Sequence, residues 1–289
     1  MSGPSQLYSA MKIHQRELEL SGGRLHYAEA GSGSAIVLIH GGYGCWAHWA
    51  ANIAPLAEQH RVLAVDLPGF GHSYDPGHCL TPEEQAAVVV EFLGRLGLNN
   101  VAVAGFSFGT LVATTLAVRH PALVHSITLV NPPGVGSRSP EALALPARMS
   151  ALSKDKGKRA GVEGTLRELM LCNHALIDNA LIDLLDDSIA RTRYITRSLS
   201  QQSETLSLFR QVTQRAMVLI GARDPFHNND LEGRRASIDA TLGAETVRIV
   251  PDAAHWLQYD RPDYFNRTLL AFTGIASPDA TKTRQGAHA

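Results

Sequence analysis

Five residues, Gly105-Phe106-Ser107-Phe108-Gly109, set a serine between two glycines in the pattern G-x-S-x-G. The run before them, Asn100-Val101-Ala102-Val103-Ala104, is short and partly β-branched and reads as a buried strand. The stretch after them, Thr110 to Arg119, is rich in Ala, Leu and Thr and stops at His120-Pro121, as a helix stops before proline. In that strand–turn–helix context the turn lifts the serine hydroxyl clear of the sheet edge. The flanking glycines are required where a Cβ would strike the neighbouring strand or helix. The helix that follows turns its unpaired N–H groups toward the serine and favours developing negative charge there. Ser107 is therefore the candidate nucleophile.

A serine hydroxyl needs a base, and the base needs an acid to orient it. Arg215–Gly221 reads as a strand running into Ala222-Arg223-Asp224-Pro225, which puts Asp224 in the loop at its C-terminal end. Glu245–Val250 reads as another strand, followed by Pro251-Asp252-Ala253-Ala254-His255. Ser107, Asp224 and His255 thus appear in the order nucleophile, acid, base. The first gap accommodates a strand and an insertion, the second one helix and one strand. Other acids fit less well. The strand His125–Val130 ends in Asn131-Pro132-Pro133, and asparagine cannot supply the charge that stabilises an imidazolium. Asp252 is too close in sequence to His255. His40, after the apolar run Ile36–Ile39, reads as a histidine that holds its loop by hydrogen bonds, and Asp66 and His72 as structural members of a Gly/Pro-rich turn.

These residues need a scaffold that brings strand ends together. Strands are expected near 15–20, 25–30, 35–40, 61–65, 100–104, 125–130, 215–220 and 246–250, and helices near 47–58, 82–96, 108–119, 230–241 and 262–273. The first two strands are closely spaced and suit an antiparallel hairpin. Later elements alternate, which implies a mainly parallel sheet covered on both faces. Residues 134–213 break the alternation. They carry amphipathic helical patterns such as Leu166–Leu171 and Ala180–Leu185, and a basic run, Lys154–Arg159, that reads as a solvated loop. The division is a core of 1–133 and 214–289 with a helical cap, 134–213, inserted over the site.

With the elbow, four further segments establish a resemblance: Ile36–Gly42, Asp66-Leu67-Pro68-Gly69-Phe70-Gly71-His72-Ser73, Gly221–Asp224 and Ala254-His255-Trp256. Over about residues 15–274 the chain is similar to the α/β-hydrolase superfamily, in its serine branch. The resemblance implies an α/β fold with an eight-stranded, mainly parallel sheet, and a catalytic triad of Ser107, Asp224 and His255. It assigns the oxyanion-hole N–H groups to Gly42 and Phe108. It also implies a closed, mostly apolar pocket near Tyr43, Trp46, Phe106, Phe108, Phe226 and Trp256, each of which serves core packing equally well. Related dehalogenases and epoxide hydrolases have aspartate at the elbow, so Ser107 points to acyl transfer.

The segments His255–Tyr259 and Asp263–Arg267 resemble the C-terminal region of meta-cleavage-product hydrolases, which split a carbon–carbon bond in ring-fission products. That resemblance offers Arg191 or Arg193 as a cap arginine for the substrate carboxylate. The elbow departs from it, with Phe106 and Phe108 where asparagine and methionine are usual. A serine hydrolase of small-to-medium hydrophobic carboxylic esters is the first expectation, the carbon–carbon hydrolase the second, and a ligand-binding receptor of the same fold the third.

Bulk properties agree with one large domain. The chain has 289 residues, 45% hydrophobic content and a net charge of −1, which gives no electrostatic case for nucleic acid or an anionic membrane. The polar start, Met1–Ser5, has no signal-peptide core, and no run approaches a membrane span. Three cysteines, Cys45, Cys79 and Cys172, show no metal spacing, so reduced thiols and a cytoplasmic setting are expected. No metal or organic cofactor is implied. The expected partner is a small-molecule substrate, and a homodimer is compatible with the sequence.

Overall fold

The computed structural model describes residues 13–136, 143–144, 147–148, 151, 154–201, 205–227 and 230–274. Both tails, from which no fold element was expected, lie outside the described residues. Among these residues eight strands form one sheet in the order β1-β2-β4-β3-β5-β6-β7-β8. They are β1 (His14–Leu20), β2 (Gly23–Ala30), β3 (Ala35–Ile39), β4 (Arg61–Val65), β5 (Val101–Phe106), β6 (Val124–Val130), β7 (Arg215–Gly221) and β8 (Val247–Val250). β1 and β2 form the antiparallel hairpin, β2 lies antiparallel to β4, and β4 through β8 run parallel.

β3 and β5 are apolar throughout because both faces of the sheet are covered there. Alternate side chains of β3 divide between two cores: Ile36 and Leu38 join one, Val37 and Ile39 the other. β5 divides likewise, with Ala102, Ala104 and Phe106 on the first face and Val101 and Val103 on the second. Each fully buried Val, Leu, Ile or Phe contributes about 1.5–3 kcal/mol.

The longer helices are α1 (Pro82–Arg95), α2 (Phe108–Arg119), α3 (Lys158–Thr165), α4 (Asn179–Ala190), α5 (Leu231–Leu242) and α6 (Pro262–Thr273). Helix α1 opens with a capping box, in which Thr81 Oγ1 accepts from Glu84 N and the Glu84 carboxylate accepts from Thr81 N. The segment between β6 and β7 carries α3 and α4. Val162, Leu166, Met170, Leu181, Ile182 and Leu185 from this insertion pack into the first core.

Two expected elements differ. Residues 47–58 do not form one helix. Trp46–Trp49 is a 3₁₀ turn and Ile53–Ala57 a short helix. Pro55 has no N–H to bond the Ala51 carbonyl one turn back, and that carbonyl instead accepts from Asn266 Nδ2 (3.4 Å). The basic run 154–159 is not a loop. It leads into α3, where Lys158 pairs with Asp186 (2.8 Å) and Arg159 with Asp183 on α4. The acidic face of α4 thus holds the basic end of α3 in place. No helix of the described residues is long and apolar enough to cross a membrane.

Candidate active site

The strand order reverses between β3 and β5, and open α/β sheets place their sites at the carboxyl ends of strands flanking such a switch. The loop His40–Gly42 leaves β3 there, and Ser107 follows β5 directly. Asp224 and His255 lie beyond β7 and β8, whose ends are level through the Gly221–Val250 pairing.

Ser107 takes up φ +49° and ψ −119° at the start of α2, a left-handed backbone that a non-glycine residue adopts only when its surroundings hold it. Both elbow glycines are explained by close approach. A Cβ at Gly105 would lie 2.4 Å from the Gly109 carbonyl oxygen, and one at Gly109 would lie 2.4 Å from the carbonyls of Ile39 and His40. The turn therefore fits tightly between α2 and the end of β3.

Ser107 Oγ lies 3.1 Å from His255 Nε2, and His255 Nδ1 lies 2.7 Å from Asp224 Oδ2. With its proton on Nδ1, the histidine donates to the carboxylate and accepts from the serine hydroxyl. Asp224 is fully buried. Burial alone would raise its carboxyl, but the charges and hydrogen bonds of His255 and His227 outweigh that and hold it below the usual carboxylate range. Its other oxygen accepts from Phe226 N (2.9 Å).

His255 is held from every side. Its N–H donates to the Leu169 carbonyl (3.2 Å), and its own carbonyl accepts from Asn131 Nδ2 (2.7 Å). Asn131 Oδ1 takes Gly221 N (2.9 Å), so one buried amide ties the end of β7 to the histidine loop. The rings of Phe106 and Phe226 pack against the imidazole, each with centroids 5.1 Å away. Leu169 belongs to a π-helical turn, Leu166–Met170, that extends α3; π turns recur at functional sites because they re-aim carbonyls. Met170 O takes Trp256 N (2.8 Å), and the buried Asp260 carboxylate accepts from Cys172 N, Asn173 N and Ala254 N. The insertion is thus fastened by backbone hydrogen bonds to the loop that carries His255.

Gly42 lies in the loop after β3 and Phe108 directly follows Ser107. Phe108 is the first residue of α2, so its N–H has no partner one turn back. The neighbouring Gly41 N donates to His48 Nδ1 (3.3 Å). The insertion closes on this loop, since a Cβ at Gly42 would lie 2.5 Å from Thr196 Oγ1. Tyr43, half-buried at φ +58°, turns the loop.

The expected pocket residues separate into two groups. Phe106 and Phe226 contact the histidine ring. Trp46, Trp256 and Phe108 are buried packing residues: Trp46 N is bonded to Asp66 Oδ1 (2.6 Å), Trp256 Nε1 donates to the His48 carbonyl (2.7 Å), and the Phe108 side chain joins the opposite core. Arg191 and Arg193 each have an aspartate partner. Arg191 pairs with Asp187 (2.8 Å), and Arg193 docks on the 69–75 loop through Ser73 O and Asp75. Both arginines are exposed, and their charges already have partners.

His40 Nδ1 donates to the Gly41 carbonyl (2.7 Å), and its Nε2 accepts from Leu67 N (3.0 Å), which holds the oxyanion loop against the Asp66 turn. Burial pushes His40 down, and pushes His48 well down with the help of His40 and His255. Burial lowers His60 in the same direction. An unfolded histidine takes a proton near pH 6.5, and these do so only at lower pH. The unfolded chain therefore binds more protons below about pH 6.5, and stability falls as pH falls through that range, by about 1.4 kcal/mol for each unit of depression per group. Thermal melts should show Tm declining from about pH 6.5 to 5, before most carboxylates titrate. A flat Tm over that interval would contradict the burial of these neutral rings.

Two residues central to the site were not expected from sequence: His227, whose ring contacts Asp224, and Asn131, expected only as a non-acid. A polar cleft of about 880 Å³ lies beside the site, lined by Arg167, Cys172, Arg223, Asp260, Arg261 and Arg267 among others, and neither Ser107 nor His255 lines it. Among the described residues no three His, Cys, Asp or Glu side chains are grouped to hold a metal ion.

This elbow, sheet and histidine loop define a recognised class. The model of the Alpha/beta hydrolase family matches residues 36–268, and the chain belongs to that family. It is 27% identical over 282 residues to 2-hydroxy-6-oxo-6-phenylhexa-2,4-dienoate hydrolase of Burkholderia cepacia, covering 89% of this chain and 93% of that one. It is 28% identical over 270 residues to the dihydrolipoyllysine-residue acetyltransferase component of the acetoin cleaving system of Cupriavidus necator, covering 89% of this chain and 68% of the relative. Among solved structures, the carboxylesterase CesB from Bacillus subtilis superposes with a TM-score of 0.74 at 19% identity, covering 93% of this chain and 96% of that one. The protein is a hydrolase of this fold.

Proposed function

We propose that the protein hydrolyses small-to-medium hydrophobic carboxylic esters through an acyl-enzyme on Ser107. The hydrogen-bonded chain from Ser107 through His255 to Asp224 carries this reading. As Ser107 Oγ attacks the ester carbonyl, its proton passes to His255 Nε2. The carbonyl oxygen becomes an oxyanion that Gly42 N–H and Phe108 N–H receive. Asp224 stabilises the imidazolium through Nδ1–H. The tetrahedral intermediate collapses, the C–O bond breaks, and His255 gives its proton to the leaving alkoxide. Water then attacks the acyl-enzyme with the same histidine as base and releases the acid and free Ser107. The insertion between β6 and β7 acts as a cap, residues 134–213, and the rings of Phe106 and Phe226 form apolar walls beside the histidine. Arg191 and Arg193 are each engaged by an aspartate, which favours a neutral ester over an anionic substrate.

A second reading, hydrolysis of a carbon–carbon bond in ring-fission dienoates, is favoured by the Burkholderia cepacia relative, which matches across nearly its whole length. One assay separates them: the purified protein with p-nitrophenyl esters of graded chain length and with a 2-hydroxy-6-oxo-dienoate, and Ser107→Ala as blank. Ester turnover with a length optimum and unchanged dienoate absorbance is expected. Fast bleaching of the dienoate with slow ester turnover would replace the first reading by the second.

A further inference from the structure

His227 contacts the catalytic acid as closely as His255 does. Its Nδ1 lies 2.8 Å from Asp224 Oδ2, the same oxygen that receives His255 Nδ1 at 2.7 Å. Its Nε2 lies 2.9 Å from the Pro132 carbonyl oxygen. The ring is buried, at 3% exposure, and its backbone N–H closes a turn on the Asp224 carbonyl (2.9 Å). A carbonyl only accepts, and so does an ionised carboxylate. A neutral imidazole has one N–H and would set a lone pair against one of these oxygens. A ring with N–H on both nitrogens satisfies both.

We propose that His227 is a positioning residue of the active site, a buried imidazolium that shares the Asp224 carboxylate with His255 and keeps His255 unprotonated, and so ready as a base, at lower pH than the Ser–His–Asp chain alone allows. The inference rests on the reading of Ser107 and His255 as nucleophile and base. Its physical content is charge balance. A lone buried carboxylate is costly, and His227 neutralises Asp224 while His255 is neutral. When His255 takes the serine proton, it meets a carboxylate that already has a cation on the same oxygen. Two positive rings less than two hydrogen-bond lengths apart repel one another, which disfavours protonation of His255 by bulk acid.

Among the described residues, the groups bonded to the His227 ring come from two loops. Asp224 precedes it on its own turn, and His255 faces it across the carboxylate from the loop after β8. Pro132, from the loop after β6, presents only a carbonyl. Along the chain, Asp230 caps α5 at Gly233 N (3.0 Å), and Arg234 of α5 is buried beside Gly136.

The test is the pH profile of kcat/KM for p-nitrophenyl acetate from pH 4.5 to 8.5, in wild type, His227→Asn and Ser107→Ala. The asparagine amide can donate to Asp224 but carries no charge. The expected result is a plateau above pH 7.5 within about fivefold of wild type. The acid limb should move up by about one pH unit, so that activity at pH 5 falls about tenfold further than the plateau does. A lowered plateau with an unmoved limb would reduce His227 to packing and overturn the proposal. If His227→Asn does not fold, nitrogen-15 NMR of histidine-labelled wild type decides. One ring with both nitrogens protonated at pH 7, showing contacts to Pro132 protons, is expected, and a single ring N–H there would overturn it. Hydrolysis that survives Ser107→Ala would instead remove the reading on which the proposal rests.

Discussion

Ser107→Ala is expected to lower kcat/KM for a p-nitrophenyl ester by at least about 10⁴-fold, leaving only what binding and the oxyanion donors supply. The substitution removes one oxygen from an elbow whose backbone is held by α2 and β3. Alanine bears the same Cβ as serine at φ +49°, so the strain is unchanged. What the fold loses is one hydrogen bond to His255, about 1 kcal/mol. Circular dichroism and a Tm within a few degrees of wild type should accompany the lost activity. Activity above about a tenth of wild type, in protein free of contaminating esterase, would remove Ser107 from the mechanism.

Asp224→Asn should cost about 10³- to 10⁴-fold in kcat for a reason visible in its contacts. Oδ2 receives two histidine N–H groups and Oδ1 receives Phe226 N–H, so every contact needs an acceptor. An amide offers one oxygen and one NH₂. Either the NH₂ faces the Phe226 N–H, or it faces the two rings and drives His255 to the tautomer that cannot accept from Ser107. The charge that stabilises the imidazolium is lost in both cases. Stability should fall as well, by on the order of 3 kcal/mol, because a buried ionic partner has been taken away. The measurement is kcat from pH 6 to 9 with a parallel denaturant melt. Unaltered kcat would mean that another group serves as the acid.

The elbow, the eight strands and the order of Ser107, Asp224 and His255 were legible because each depends on a short local pattern: an apolar run, a turn with glycines, a loop after a strand. The geometry that joins them in space is consistent with that order. What escaped the sequence depends on partners distant in the chain. The stretch 47–58 has helical spacing, yet Pro55 interrupts it and Asn266 takes up the carbonyl it frees. Lys154–Arg159 is solvated as read, but that its end enters α3 and pairs with Asp183 and Asp186 of α4 depends on residues distant in the chain. Arg191 and Arg193 pair with Asp187 and Asp75, and the Asp75 pairing spans more than a hundred residues of chain. His227 follows Asp224 by three residues, a spacing that lets its ring turn back on the carboxylate, but nothing local distinguishes it from a surface histidine. The hydrogen bonds from Leu169 and Met170 to the histidine loop are made by backbone carbonyls, which carry no signature in side-chain type.

The central claim is that Ser107 is the activated nucleophile, and one measurement addresses it directly. The native protein is treated with a fluorophosphonate, and intact-mass and peptide mass spectrometry follow the adduct while residual esterase activity is read in parallel. The account predicts one adduct per chain, on Ser107, forming at the rate at which activity disappears, and none in urea-unfolded protein. Full inactivation with the adduct elsewhere, or undiminished activity with Ser107 fully labelled, would contradict it.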